Sequence, residues 1–143
     1  MEIITTNRKA YFDYTIEKKY EAGIVLLGIE VKPLREKLVS IGEAWVKIED
    51  QIPLLIGATI TPKTLAPWEL EKYRPNRDRR LLLKKAEIKS LYWATQQGRT
   101  IIPLRLYLND HQKIKIEIAV AKGKKKYDKR ETVRVRDLQR DGN

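Results

Sequence analysis

The chain has 143 residues, 42% of them apolar, enough for one domain with a core and a short appendage. Thirty Lys and Arg stand against 19 Asp and Glu, a net charge of +11, which directs the surface towards a polyanion. Without cysteine there is no disulfide, thiolate nucleophile or Cys-based zinc site, and no run approaches the roughly 18–20 apolar residues of a membrane span.

The N-terminal segment, residues 1–7, has neither a basic n-region nor an apolar h-region, so the expectation is a cytoplasmic protein that meets nucleic acid rather than membrane. Residues 22–31 are rich in β-branched side chains and read as a strand bent near Gly28. Pro33 then suits the first position of a short helix through Leu38. Residues 43–49 alternate, with Ala44, Val46 and Ile48 on one face, and residues 54–60 form a hairpin partner across a turn at 50–53.

From Pro62 to Arg80 the pattern breaks into prolines and charge, a long connection or short helical pieces. Ile88, Leu91, Tyr92 and Thr95 follow helical spacing within Lys84–Gln97, and Gly98 stands where a helix-ending glycine belongs. Residues 102–108 and 113–120 read as two strands around a turn at His111. The second alternates strictly, with Ile114, Ile116, Ile118 and Val120 inward. The expected fold is mainly β with helices (α+β): a small antiparallel barrel with about three flanking helices, which leaves few exposed edges. A barrel domain over 1–122 is followed by a basic tail, 123–143. From Lys122 onward nine Lys or Arg face four Asp or Glu, and the segment lacks the apolar residues to form a core.

Catalysis finds little support. His111, the one histidine, sits in a turn, and neither a Gly-rich phosphate loop nor a nucleophile-elbow serine occurs. The positive charge gathers in two places, the tail and the stretch Lys72, Arg74, Arg77, Arg79, Arg80, Lys84, Lys85 and Lys89. A solvated, solubilising face is the ordinary explanation of a charge run, but dominance of one sign in two places favours phosphate binding. Gly123 is read as a pivot between core and tail or as a point of close approach to a sugar-phosphate backbone. Trp45, Trp68, Trp93, Tyr92 and Tyr107 are expected to pack in or against the core. Tyr127, set among charges, has two open readings: a stacking platform for a base, or a ring folded back on the barrel.

Taken in order, these residues resemble SsrA-binding proteins, also called small protein B. The likeness rests on Asn7 to Ala10, Asp13-Tyr14, Tyr20 to Ile24, Gly28 to Lys32 with Leu34-Arg35, and Pro75 with Arg77 and Arg79 to Leu83. It continues through Lys85 with Glu87-Ile88, Gly98 with Thr100 to Tyr107, Lys113 to Ile118, and Gly123 to Arg130. The resemblance implies a barrel of oligonucleotide-binding (OB) type and no cofactor. It further implies a monomer bound to the tRNA-like domain of transfer-messenger RNA and delivered to stalled ribosomes, where the protein stands in for a missing anticodon arm. On this basis Asn7, Lys9, Glu30, Lys32, Arg35, Arg77, Arg79, Lys124 and Lys125 are the expected RNA contacts. Glu30 would accept hydrogen bonds from base amino groups or a 2′-hydroxyl; its plainer reading is an ion pair with a neighbour such as Lys32. Tyr127, Asp128, Lys129 and Arg130 are expected at the ribosomal decoding region, with the tail beyond them folding along the message channel. Ile29 and Pro33 depart from the family pattern. The alternative is a ribosomal or assembly protein bound constitutively to rRNA.

Overall fold

The computed structural model describes residues 1–124. Its elements run β1 (Glu2–Thr6), α1 (Arg8–Asp13), β2 (Tyr14–Ile24), α2 (Gly28–Arg35), β3 (Val39–Ser40), β4 (Trp45–Glu49), β5 (Ile52–Ile56), β6 (Thr59–Ile60), α3 (Pro67–Lys72), β7 (Arg79–Leu82), α4 (Lys85–Gln96), β8 (Thr100–Leu108) and β9 (Ile114–Gly123). The strands pair antiparallel in the order β1-β8-β4-β5-β7-β2-β9, and β8 also pairs with β9. That last pairing closes β8-β4-β5-β7-β2-β9 into a ring, leaving β1 as an addition to β8.

Alternation decides what fills the ring. In β9, Ile116, Ile118 and Val120 point inward to meet Tyr20 and Ala22 of β2, Val46 of β4 and Leu55 of β5. A smaller cluster sits on the opposite surface, where Ala10 of α1 packs on Ile102, Leu104, Ala119 and Ala121. A two-residue turn, Asp50-Gln51, closes the β4–β5 hairpin with φ of 49° and 66°, the left-handed pair that matches strand twist.

The helices start by a common device. α2, α3 and α4 each carry Glu at their third position (Glu30, Glu69, Glu87), which accepts the N–H of Leu27, Ala66 and Lys84 at 2.8, 2.9 and 2.9 Å. α1 begins instead at Asn7, whose Oδ1 accepts the Ala10 N–H at 3.2 Å.

Several expectations are corrected. Gly28 to Val31 form the first turn of α2, not the end of a strand, because Glu30 caps that turn and is drawn inward by tertiary partners. Among the described residues there are four helices, in keeping with the expected α+β barrel with about three. The stretch from Pro62 to Arg80 holds a short helical piece, α3, as expected, and also the start of a barrel strand, β7, which was not. Gly123, expected as a pivot, is a strand residue opposite Tyr14, and the next N–H, that of Lys124, bonds to Asp13 O at 2.9 Å. The aromatic expectation holds for Tyr107, which is buried, and fails for Trp45, Trp68, Tyr92 and Trp93, which are all exposed.

Candidate nucleic-acid interface

β7 holds the key to the basic cluster. Alternation along Arg79-Arg80-Leu81-Leu82 turns Arg79 and Leu81 inward and leaves Arg80 and Leu82 exposed. A guanidinium inside a barrel needs a counter-charge, and α2 supplies Glu30. Arg79 Nη2 and Nε reach Glu30 Oε2 at 2.6 and 3.0 Å, and neither side chain has any solvent exposure. Arg77 adds Nη2 to Oε1 at 2.5 Å and Nε to Oε2 at 3.2 Å, while the Tyr73 hydroxyl donates to Oε2 at 3.0 Å. Arg79 spends its remaining donors on the carbonyls of Ala58, Arg77 and Pro75, at 2.9, 3.0 and 2.8 Å.

This network sets the ionisation. Burial, the largest single influence, pushes the Glu30 carboxyl up. The hydrogen bonds from Arg77, the Leu27 N–H and Arg79, with the Arg79 charge, outweigh it and hold the group below its ordinary value. Tyr73 moves the other way: burial, then the neighbouring Glu30 carboxylate, raises its phenol. Glu30 is therefore a full anion at neutral pH with its oxygens already occupied. The expected direct contacts of Glu30 and Arg79 with RNA are not available in this conformation. The expected partner Lys32 is not the one Glu30 uses.

What the network does is fasten α2 and the 73–79 segment to the barrel. Lys32 and Arg35 project from α2 as exposed cations, and Arg77 keeps about a quarter of its side-chain surface in solvent. Asn7, Lys9 and Lys124 form a second group around α1. Asn7 is buried, donating to Pro103 O at 2.9 Å and to Ile41 O at 3.4 Å, so it too is structural. Lys9 is exposed and pairs with Glu43 at 2.6 Å, whose hydrogen bond and charge raise the lysine's pKa. Lys124 Nζ donates to Tyr11 O at 3.1 Å. Lys125, Tyr127, Asp128, Lys129 and Arg130 lie outside the described residues.

Sequence reasoning missed an outward-facing strip across β7, β2, β9 and β8. Strand pairing aligns Leu82, Gly23, Lys115 and Tyr107 in one row and sets Glu21, Glu117 and Arg105 in the next. Leu82 is exposed and lies close over Gly23, where a Cβ would sit 3.2 Å from Leu82 Cβ. The Tyr107 hydroxyl donates to Glu21, and burial followed by that carboxylate raises the phenol well above its usual range. Arg105 bridges to Glu117 at 3.3 Å. The surface here mixes an exposed leucine, paired charges and a half-buried lysine, with the Tyr107 ring buried. Its signal in the sequence was the alternation of four strands, which needs their register before it can be read as one face.

A closed antiparallel β-barrel with flanking helices and exposed cations on α2 and α1 defines an OB-like α+β binding protein. The chain belongs to the SmpB protein family, whose model matches residues 4–143. An SsrA-binding protein of Fervidobacterium nodosum is 43% identical over 141 residues, covering 98% of this chain and 93% of that protein. One from Cupriavidus taiwanensis is 49% identical over 139 residues, covering 96% and 92%. A chain of the solved structure described as "tmRNA-SmpB: a journey to the center of the bacterial ribosome" shares the fold with a TM-score of 0.70. It is 35% identical and covers 91% of this chain and 94% of that one. Among the described residues no helix is long and apolar enough to cross a membrane.

Proposed function

We propose that this chain binds the tRNA-like domain of transfer-messenger RNA and brings it to stalled ribosomes for trans-translation, acting in the cytoplasm as a binding protein rather than an enzyme. The observation that carries the reading is family membership along nearly the whole chain, joined to a 35% identical structural neighbour from a tmRNA–SmpB ribosome study. We read a division of labour among the residues. Lys32, Arg35, Lys9, Lys124 and Lys125 neutralise phosphates, and Arg77 contributes its exposed edge. Glu30, Arg79 and Asn7 act from inside, holding the elements that carry those cations. Tyr127, Asp128, Lys129 and Arg130 serve the ribosomal decoding region in place of an anticodon arm, and the remaining tail orders along the message channel.

Binding measured at several salt concentrations tests this reading. The expected result is tighter binding to the tRNA-like domain than to rRNA fragments of equal length at every salt concentration. Equal affinities would return the chain to the alternative, a constitutive rRNA-binding protein.

A further inference from the structure

α1 is a weak helix by its own sequence. It is six residues long, too short to stand alone, and Ala10 is its one buried side chain. Its charges also run the wrong way round. Arg8 and Lys9 stand in the first turn and Asp13 in the last, whereas helix polarity favours acids first and bases last.

The helix is therefore held from outside, at both ends. At its start Asn7 accepts the Ala10 N–H and donates to Pro103 O and Ile41 O, and Glu43 pairs with Lys9. At its end Ala10 O takes the Tyr14 N–H. Two further carbonyls of the last turn are met by a single residue more than 100 positions away. Lys124 gives its N–H to Asp13 O at 2.9 Å and its Nζ to Tyr11 O at 3.1 Å. It thus supplies the base that α1 lacks in its last turn. β9 delivers it there, because Gly123 is still paired with Tyr14, the residue that follows the helix. An ammonium has three donors, so capping Tyr11 and meeting a phosphate are compatible.

We infer that Lys124 is a positioning residue for RNA binding: it caps α1 from the other end of the barrel domain and so fixes where Lys9 presents its charge. This deepens the proposed function, in which Lys9 and Lys124 meet phosphates, and rests on that reading.

Amide hydrogen exchange on the free, full-length chain tests the cap. Lys124→Ala should speed exchange at Ala10 and Tyr14 roughly 2- to 10-fold, as loss of one hydrogen bond does, with core Ile116 and Ile118 unchanged. Lys124→Arg, which keeps a charged donor, should return the rates to those of the parent. A double-mutant cycle on affinity for the isolated tRNA-like domain tests the positioning. Lys9→Ala should cost at least about 2-fold less affinity in the Lys124→Ala chain than in the parent. Unchanged exchange in α1 overturns the inference. So do additive losses for Lys9 and Lys124, which would make Lys124 a phosphate contact and nothing more. Equal acceleration at Ile116 and Ile118 overturns it as well, since Lys124 would then support the whole fold rather than α1. Failure of the parent chain to bind the tRNA-like domain would count against the proposed function, while exchange in the free chain would still decide whether Lys124 caps α1.

Discussion

Replacing Glu30 with Ala separates two meanings of one residue. If Glu30 touched RNA, the substitution would cost affinity and little else. The structure predicts the reverse order of events. Removing the carboxylate strands Arg79, which has no exposure, and leaves the Tyr73 hydroxyl without its carboxylate partner. Breaking a buried pair from one side costs about 3–5 kcal/mol, a large part of the roughly 5–15 kcal/mol that holds a domain together. With a urea slope near 2 kcal/mol per molar, the unfolding midpoint should drop by about 2 M. RNA binding should fall as well, because α2 loses its fastening to the 73–79 segment, but that loss follows the destabilisation. The control replaces both sides of the pair. Glu30→Leu with Arg79→Met should recover most of the stability, since a buried ion pair is often no better than well-packed apolar groups. If Glu30→Ala costs under about 1 kcal/mol in urea yet abolishes binding to the tRNA-like domain, the positioning argument is wrong and Glu30 is a contact.

Acid should expose the same network. A carboxyl held below its ordinary value stabilises the fold fully above about pH 4.3, and this stability is lost as pH falls through the lower folded value. Urea titrations between about pH 6 and about pH 3 should therefore show a shallower acid loss for Glu30→Gln than for the parent. Lys32→Ala with Arg35→Ala, both exposed, should leave the urea midpoint unchanged and reduce the salt slope of RNA binding by about two. Gly57→Ala should destabilise by about 1–2 kcal/mol in urea, because Gly57 sits at φ +84° and a Cβ would stand 3.1 Å from the Glu43 carbonyl.

The parts of the fold that were legible are those where one pattern decides. β9 alternates apolar with charged residues from Ile114 to Ile118, α4 pairs helical spacing with Gly98 at φ +82°, and the β4–β5 hairpin is bounded by its turn. The first turn of α2 was not legible, because Gly28-Ile29-Glu30-Val31 favours a strand locally and becomes helical through Glu30's distant arginines. β7 is the sharper case. Arg79-Leu81 and Arg80-Leu82 are chemically the same pair, so alternation alone gives no reason to bury one arginine and expose the other. The register with β2 and β5 makes that choice.

The candidate site divides in the same manner. Charge was visible and depth was not: the cluster from Lys72 to Lys89 contains exposed Lys85 and buried Arg79 within six positions. The exposed aromatics were misplaced because a large ring usually marks a core. Helical phase nevertheless carried a warning, since with Leu91 turned inward Tyr92 and Trp93 are rotated about 100° and 200° away. Glu21, Leu82 and Lys115 share a face only after the strands have been brought into register.

Peptide tagging on ribosomes stalled at a broken message, with transfer-messenger RNA and either the intact chain or one cut after Gly123, tests the central claim most directly. The intact chain should support tagging, while the shortened chain, which keeps β9 and the barrel but loses Lys124 and Lys125, should bind the tRNA-like domain more weakly and tag nothing. Tagging by the shortened chain, or none by the intact one, would contradict the account.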